Sequence, residues 1–123
     1  MITASHALIY TPQAEAVRAC FRDTLGVSHV DAGQGWLIFA LLPAELGIHP
    51  AGEGAPNGSH ELYLMCDDVE ATMRELSAKG VEFARPVTDQ GWGRVTAITL
   101  PGGMELGLYE PRHPTALPDT DIA

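Results

Sequence analysis

"SHELYL", Ser59 to Leu64, and "SHALIY", Ser5 to Tyr10, decide the fold, because the same Ser-His opening of an apolar, strand-like run occurs twice, 54 positions apart. One histidine at the mouth of a β-strand is ordinary; a second at a fixed interval marks an internal repeat. The residues after each copy agree with a repeat. After "HALIYT" come Thr11 and Pro12, an expected N-cap and first helical residue, then Ala14, Val17, Phe21 and Leu25 at helical spacing, with Gly26 as the stop. After "HELYLMC" come Asp67 and Glu70 in a capping-box pattern, then Val69, Met73 and Leu76 as an apolar stripe that ends at Gly80.

The later segments repeat as well. "GQGWLIFALLP" (33–43) has its partner in "DQGWGRVTAITLP" (89–101), and "ELGIHP" from Glu45 has its partner in "ELGLYEP" from Glu105. The offset drifts from 54 to 60, as insertions in turns require. Each half therefore reads strand, helix, then two or three strands. The expected architecture is α+β: two βαβββ modules, about 3–51 and 58–111, within one domain over 1–111. "GEGAPNGS" (52–59) is the expected linker, and a Pro-rich tail occupies 112–123.

Composition narrows the function. The chain has 123 residues, 46% of them hydrophobic and 19% charged, which suits one globular domain. A formal net charge of −9 with only seven Lys and Arg argues against nucleic acid and favours a cationic ligand over an anionic one. No apolar run reaches the roughly 18 residues of a membrane span, and no signal-peptide pattern opens the chain, so the expectation is a cytoplasmic protein with no membrane partner. Cys20 and Cys66 have the spacing of neither a zinc site nor a redox motif.

The tandem βαβββ order, a histidine near the start of each module and the closing "LPGGMELGLYEP" resemble the vicinal oxygen chelate superfamily of glyoxalases, bleomycin-resistance proteins and extradiol dioxygenases. Pro101-Gly102-Gly103 echoes that family's Pro-Asp-Gly signature. The resemblance implies a curved half-barrel cavity, commonly in a homodimer, and a small-molecule substrate or ligand. It further implies a divalent metal (Fe, Mn, Ni or Zn) held by His6, His60 and Glu105, with Glu45 or His49 as a fourth ligand. Such an ion would chelate vicinal oxygens of a substrate in a lyase, an isomerase or a dioxygenase.

The sequence departs from that pattern at the carboxylates. Gly107 and Gly47 stand where the resemblance places the ligand carboxylates, and Glu105 and Glu45 lie two residues earlier, on the same strand face. The competing expectation is a metal-independent, bleomycin-resistance-like protein that sequesters a cationic or aromatic compound. Glu105, Glu45 and Tyr109 are the candidate catalytic groups, while Trp36, Trp92 and His49 are candidate substrate contacts. Tyr63 is expected in the core, and Arg112 and His113 in a solvated tail.

If the repeated histidine holds an ion, adding Mn, Fe(II), Ni or Zn to chelator-stripped protein should raise its melting temperature, and His60→Ala should abolish the rise. A rise that survives this substitution would remove the histidines from any metal site.

Overall fold

The computed structural model describes residues 6–41, 43–48 and 50–117. The fold is mixed α+β, with a two-stranded and a five-stranded sheet and no closed barrel among the described residues. The second repeat runs from β3 (Tyr63–Met65) through α2 (Val69–Ser77), β4 (Glu82–Phe83), β5 (Thr88–Asp89) and β6 (Gly93–Thr99) to β7 (Glu105–Pro111). It forms a strand, a helix and then four strands, one more than the expected βαβββ order because the segment before β6 is split into two short strands. The sheet order is β3-β7-β6-β4, with β5 also on β6; β3 and β7 run parallel, and the other pairs are antiparallel.

The first repeat forms less of its expected structure. It contains α1 (Ala14–Ala19), a π-helical turn over Cys20–Thr24, and the hairpin of β1 (His29–Asp31) with β2 (Leu37–Phe39). The strand-like segments 6–10 and 44–48 carry no strand pairing among the described residues. The two halves nevertheless share a turn. In each, an aspartate before the Gly-Trp hairpin accepts a glycine N–H: Gly33 N to Asp31 Oδ1 at 2.7 Å, and Gly91 N to Asp89 Oδ1 at 2.9 Å. Gly35 and Gly91, just before the two tryptophans, both sit at φ 82, a left-handed conformation that other residues adopt only at a cost.

The helix boundaries shift from expectation for identifiable reasons. Thr11 Oγ1 accepts the Gln13 N–H at 3.1 Å, which spends the threonine on a local turn, so α1 starts at Ala14. Asp68, rather than Asp67, caps α2 by accepting the Ala71 N–H at 3.0 Å. Glu70 does not complete a capping box, because its carboxylate pairs with Arg94 on β6. Gly26 and Gly80, at φ 67 and 88, end the two helical segments as expected.

Strand β7 has two unlike faces. Leu106 and Leu108 point toward the helices and join Val17, Phe21, Ile98 and Leu100 in a single buried cluster, with Leu64, Cys66, Leu76 and Phe39 packed around it. Two members, Val17 and Phe21, come from the first repeat, so its helix supplies core to the second repeat's sheet. The one fully buried polar side chain among the described residues, Thr96, donates its hydroxyl to the Arg85 carbonyl at 2.7 Å. Burial pushes the thiols of Cys20 and Cys66 above their ordinary range, which keeps both protonated and unreactive.

Because Phe21 bridges the repeats, Phe21→Ala should cost about 3 kcal/mol or more and lower a single melting transition of the whole chain. Calorimetry that found the sheet melting at its original temperature would contradict this shared core.

Candidate functional site

The other face of the five-stranded sheet is open. Alternation puts Tyr63 of β3, Glu105, Gly107 and Tyr109 of β7, and Val95 and Ala97 of β6 on that side, opposite the leucines. Tyr63 therefore lies outside the core, against expectation. Its chain neighbours Leu62 and Leu64 pack on the core, so alternation turns Tyr63 to the opposite face.

Three rings meet on this face. Tyr63 and Trp92 lie 5.9 Å apart between centroids, Tyr63 and Tyr109 5.6 Å, and Trp92 and Tyr109 5.1 Å, all edge to face. Such geometry sets the positive ring edge against the negative ring face and is favourable beyond the area it buries. Glycines make the arrangement possible. Tyr63 is the cross-strand partner of Gly107, where a Cβ would stand 2.2 Å from its ring. A Cβ on Gly93 would stand 2.7 Å from the Tyr109 ring. Tyr109 is 7% exposed at the floor, whereas Tyr63 and Trp92 retain 37% and 41% and offer ring surface to solvent.

A polar corner adjoins the rings. Tyr109 Oη lies 2.9 Å from His113 Nε2, and His113 Nδ1 lies 2.8 Å from the Pro114 carbonyl oxygen. Glu45 of the first repeat reaches the same place: its Oε2 accepts the Ala116 N–H at 2.8 Å, and its Oε1 is 3.7 Å from His113 Nε2. The tail is thus folded against the sheet as far as this corner, and the Arg112 N–H bonds the Trp92 carbonyl at 2.9 Å. Arg112 itself pairs with Asp89, so its charge is already matched. Burial raises the Tyr109 phenol above its ordinary range and the Glu45 charge adds to this. Tyr63 is raised in the same way by burial, then by Glu61. Both remain neutral phenols at physiological pH.

The residues implied as metal ligands do not come together in the chain. His6 and His60 are both exposed and lie in no strand. Glu105 is ion-paired with Arg85. Glu45 is held by the tail, and His49 lies outside the described residues. At Gly107, the implied carboxylate position, the space is filled by the Tyr63 ring. His6, His60, Glu105 and Glu45 in this arrangement do not fit a shared ion. Among the described residues, the acidic group with metal-ligand spacing is Asp68, Glu70 and Glu110. Each of its carboxylates has a partner: the Ala71 N–H, Arg94 and the Val69 N–H respectively.

Trp36 does not join Trp92. It sits at the tip of the β1–β2 hairpin with the Arg18 guanidinium 5.1 Å from its ring centroid. Two open surface hollows lie elsewhere, one of 560 Å³ along α1 and one of 240 Å³ beside the hairpin, and neither is lined by the candidate site residues. Sequence reasoning missed Tyr63 and His113. Glycine inside a strand is a mark of close approach, so Gly93 and Gly107 were the available signal for seated rings. His113 carried none, because its role arises from tertiary contact alone.

Comparison with known proteins agrees with the fold. Residues 3–108 match the family model of the Glyoxalase/Bleomycin resistance protein/Dioxygenase superfamily. No curated protein sequence matches the chain. Among solved structures, the chain resembles TnmS3, an antibiotic binding protein from Streptomyces sp. CB03234, at 26% identity and TM-score 0.60, over 90% of this chain and 99% of that one. It also resembles a superfamily member from Sphaerobacter thermophilus, at 23% identity and TM-score 0.58, over 89% and 98% of the two chains. Lactoylglutathione lyase from Agrobacterium tumefaciens shares the fold at 16% identity and TM-score 0.58, over 88% and 92%. The tandem repeat, the α+β sheet arrangement and the match over nearly the whole length lead to one conclusion: the chain belongs to the glyoxalase/bleomycin resistance protein/dioxygenase superfamily.

Proposed function

We propose that the chain is a metal-independent binding protein that sequesters a planar aromatic small molecule on the open face of its five-stranded sheet. The observation that carries this reading is the seating of Tyr63 on Gly107. A strand position that would serve a metal as a carboxylate instead serves a ring as a floor. With Trp92 and Tyr109 it makes an aromatic surface onto which a flat ligand can stack, and stacking on fixed rings costs little side-chain entropy. The net charge of −9 draws a cationic ligand toward that surface. The likeness to an antibiotic binding protein supports binding as the activity.

A homodimer is part of the proposal. In the first repeat, Leu8, Tyr10, Leu46 and Ile48 are between 60% and 89% exposed on segments that lack strand partners among the described residues. A second copy of the chain covering them would remove that surface from water. No helix among the described residues is long and apolar enough to cross a membrane. We place the protein in the cytoplasm.

The second reading is a metal-dependent lyase, isomerase or dioxygenase, and what favours it is the repeated, exposed His6 and His60. Within one chain it lacks an assembled carboxylate, so it requires ligands from two copies.

Binding of 10-methylacridinium, a flat cation, separates the readings. Titration calorimetry should give an affinity that is unchanged by EDTA and that falls about three- to tenfold on Trp92→Ala. An affinity lost with the chelator, or indifferent to Trp92, would overturn the binding reading. Sedimentation should give a dimer, and Leu46→Asp with Ile48→Asp should give a monomer; an unaltered sedimentation coefficient would reject the proposed interface.

A further inference from the structure

We propose that Tyr109, His113 and Glu45 form an acceptor-only corner of the aromatic face, one that selects a ligand carrying an N–H donor on its planar cationic ring. The inference rests on the binding reading and adds to it a chemical class of ligand. Its basis is the direction of each hydrogen bond. The Pro114 carbonyl oxygen, 2.8 Å from His113 Nδ1, can only accept, so when the imidazole is neutral this contact holds its one proton on Nδ1. Nε2 is then an acceptor, and the Tyr109 hydroxyl at 2.9 Å must donate to it. The phenol has no second proton. Toward the ligand it presents only oxygen lone pairs.

Glu45 completes the pattern. One carboxylate oxygen is occupied by the Ala116 N–H at 2.8 Å. The other lies 3.7 Å from Nε2, which has no proton to offer it, and no other donor reaches it among the described residues. The side chain is 19% exposed although the residue's backbone is open to solvent, so the carboxylate lies against the tail while remaining reachable by a ligand. A carboxylate oxygen without a donor among the described residues, next to a phenol held as acceptor, is complementary to an N–H group that also bears positive charge. The neighbouring arginines do not compete for it, because Arg85 pairs with Glu105 and Arg112 with Asp89. His113 acts here as a positioning residue, since it sets the hydroxyl direction of Tyr109 and need not touch the ligand.

Two acridine probes test the corner at about pH 8, above the ordinary histidine range. The 9-aminoacridinium ion has N–H donors, whereas 10-methylacridinium has a similar ring and charge with none. Calorimetry should show the amino compound bound roughly tenfold tighter or more, as a hydrogen bond to a charged acceptor allows. Glu45→Gln, which keeps an acceptor for Ala116, and His113→Phe should each bring the two affinities together, while Trp92→Ala should weaken both probes alike. Equal affinities in the unaltered protein, both reduced by Trp92→Ala, would overturn the corner and leave the aromatic face standing. A preference abolished by Glu45→Gln but with Trp92→Ala without effect would support the corner and remove the face. Binding of neither probe would overturn both.

Discussion

The alternation of strand β7 is the constraint on which the rest of the structure depends. Leu106 and Leu108 turn to the helices, and Glu105, Gly107 and Tyr109 turn away. Because strand side chains alternate strictly, the register that buries the leucines also fixes which residues face the open side. A slip of one residue would exchange core for site. Parallel pairing with β3 sets Tyr63 opposite Gly107, and antiparallel pairing with β6 brings Gly93 beneath Tyr109. Site and core are thus two outcomes of the same hydrogen-bonded ladder.

The two repeats use one pattern for different ends. The second supplies the five-stranded sheet, while the first contributes Val17 and Phe21 to the core beneath that sheet and Glu45 to the corner above it. Equivalent glycines make the contrast plain. A Cβ on Gly107 would collide with Tyr63, whereas one on Gly47 would meet nothing within 4 Å. The first repeat keeps the strand sequence without a strand partner among the described residues, which is why its apolar side chains are exposed and a second copy is proposed to cover them.

Element order in the second repeat was legible in the sequence because apolar periodicity and glycine stops are local signals. The helices around Val17 and Val69 and the Gly-Trp turns appear where the pattern places them. The exact caps were not legible, since Asp67 and Asp68 are both competent and only the path into β3 and Arg94's hold on Glu70 decide between them. Of the candidate site, the repeated pattern singles out Glu45, Tyr109 and Trp92, but the assignment of Glu105 to a metal could not anticipate Arg85, and nothing local identifies Tyr63 or His113 as neighbours of Tyr109. Side-chain partners across the sheet are fixed by register, and register is a property of two strands at once.

In the proposed complex a flat ligand rests against Trp92 and Tyr63 without a metal. The chain has two tryptophans, so Trp36→Phe leaves Trp92 as the sole indole reporter. Titrating this variant with 10-methylacridinium while following tryptophan fluorescence tests that placement. Saturable quenching with the same midpoint before and after exhaustive chelation is expected. Quenching that is absent, or that returns only when a divalent ion is restored, would contradict the placement.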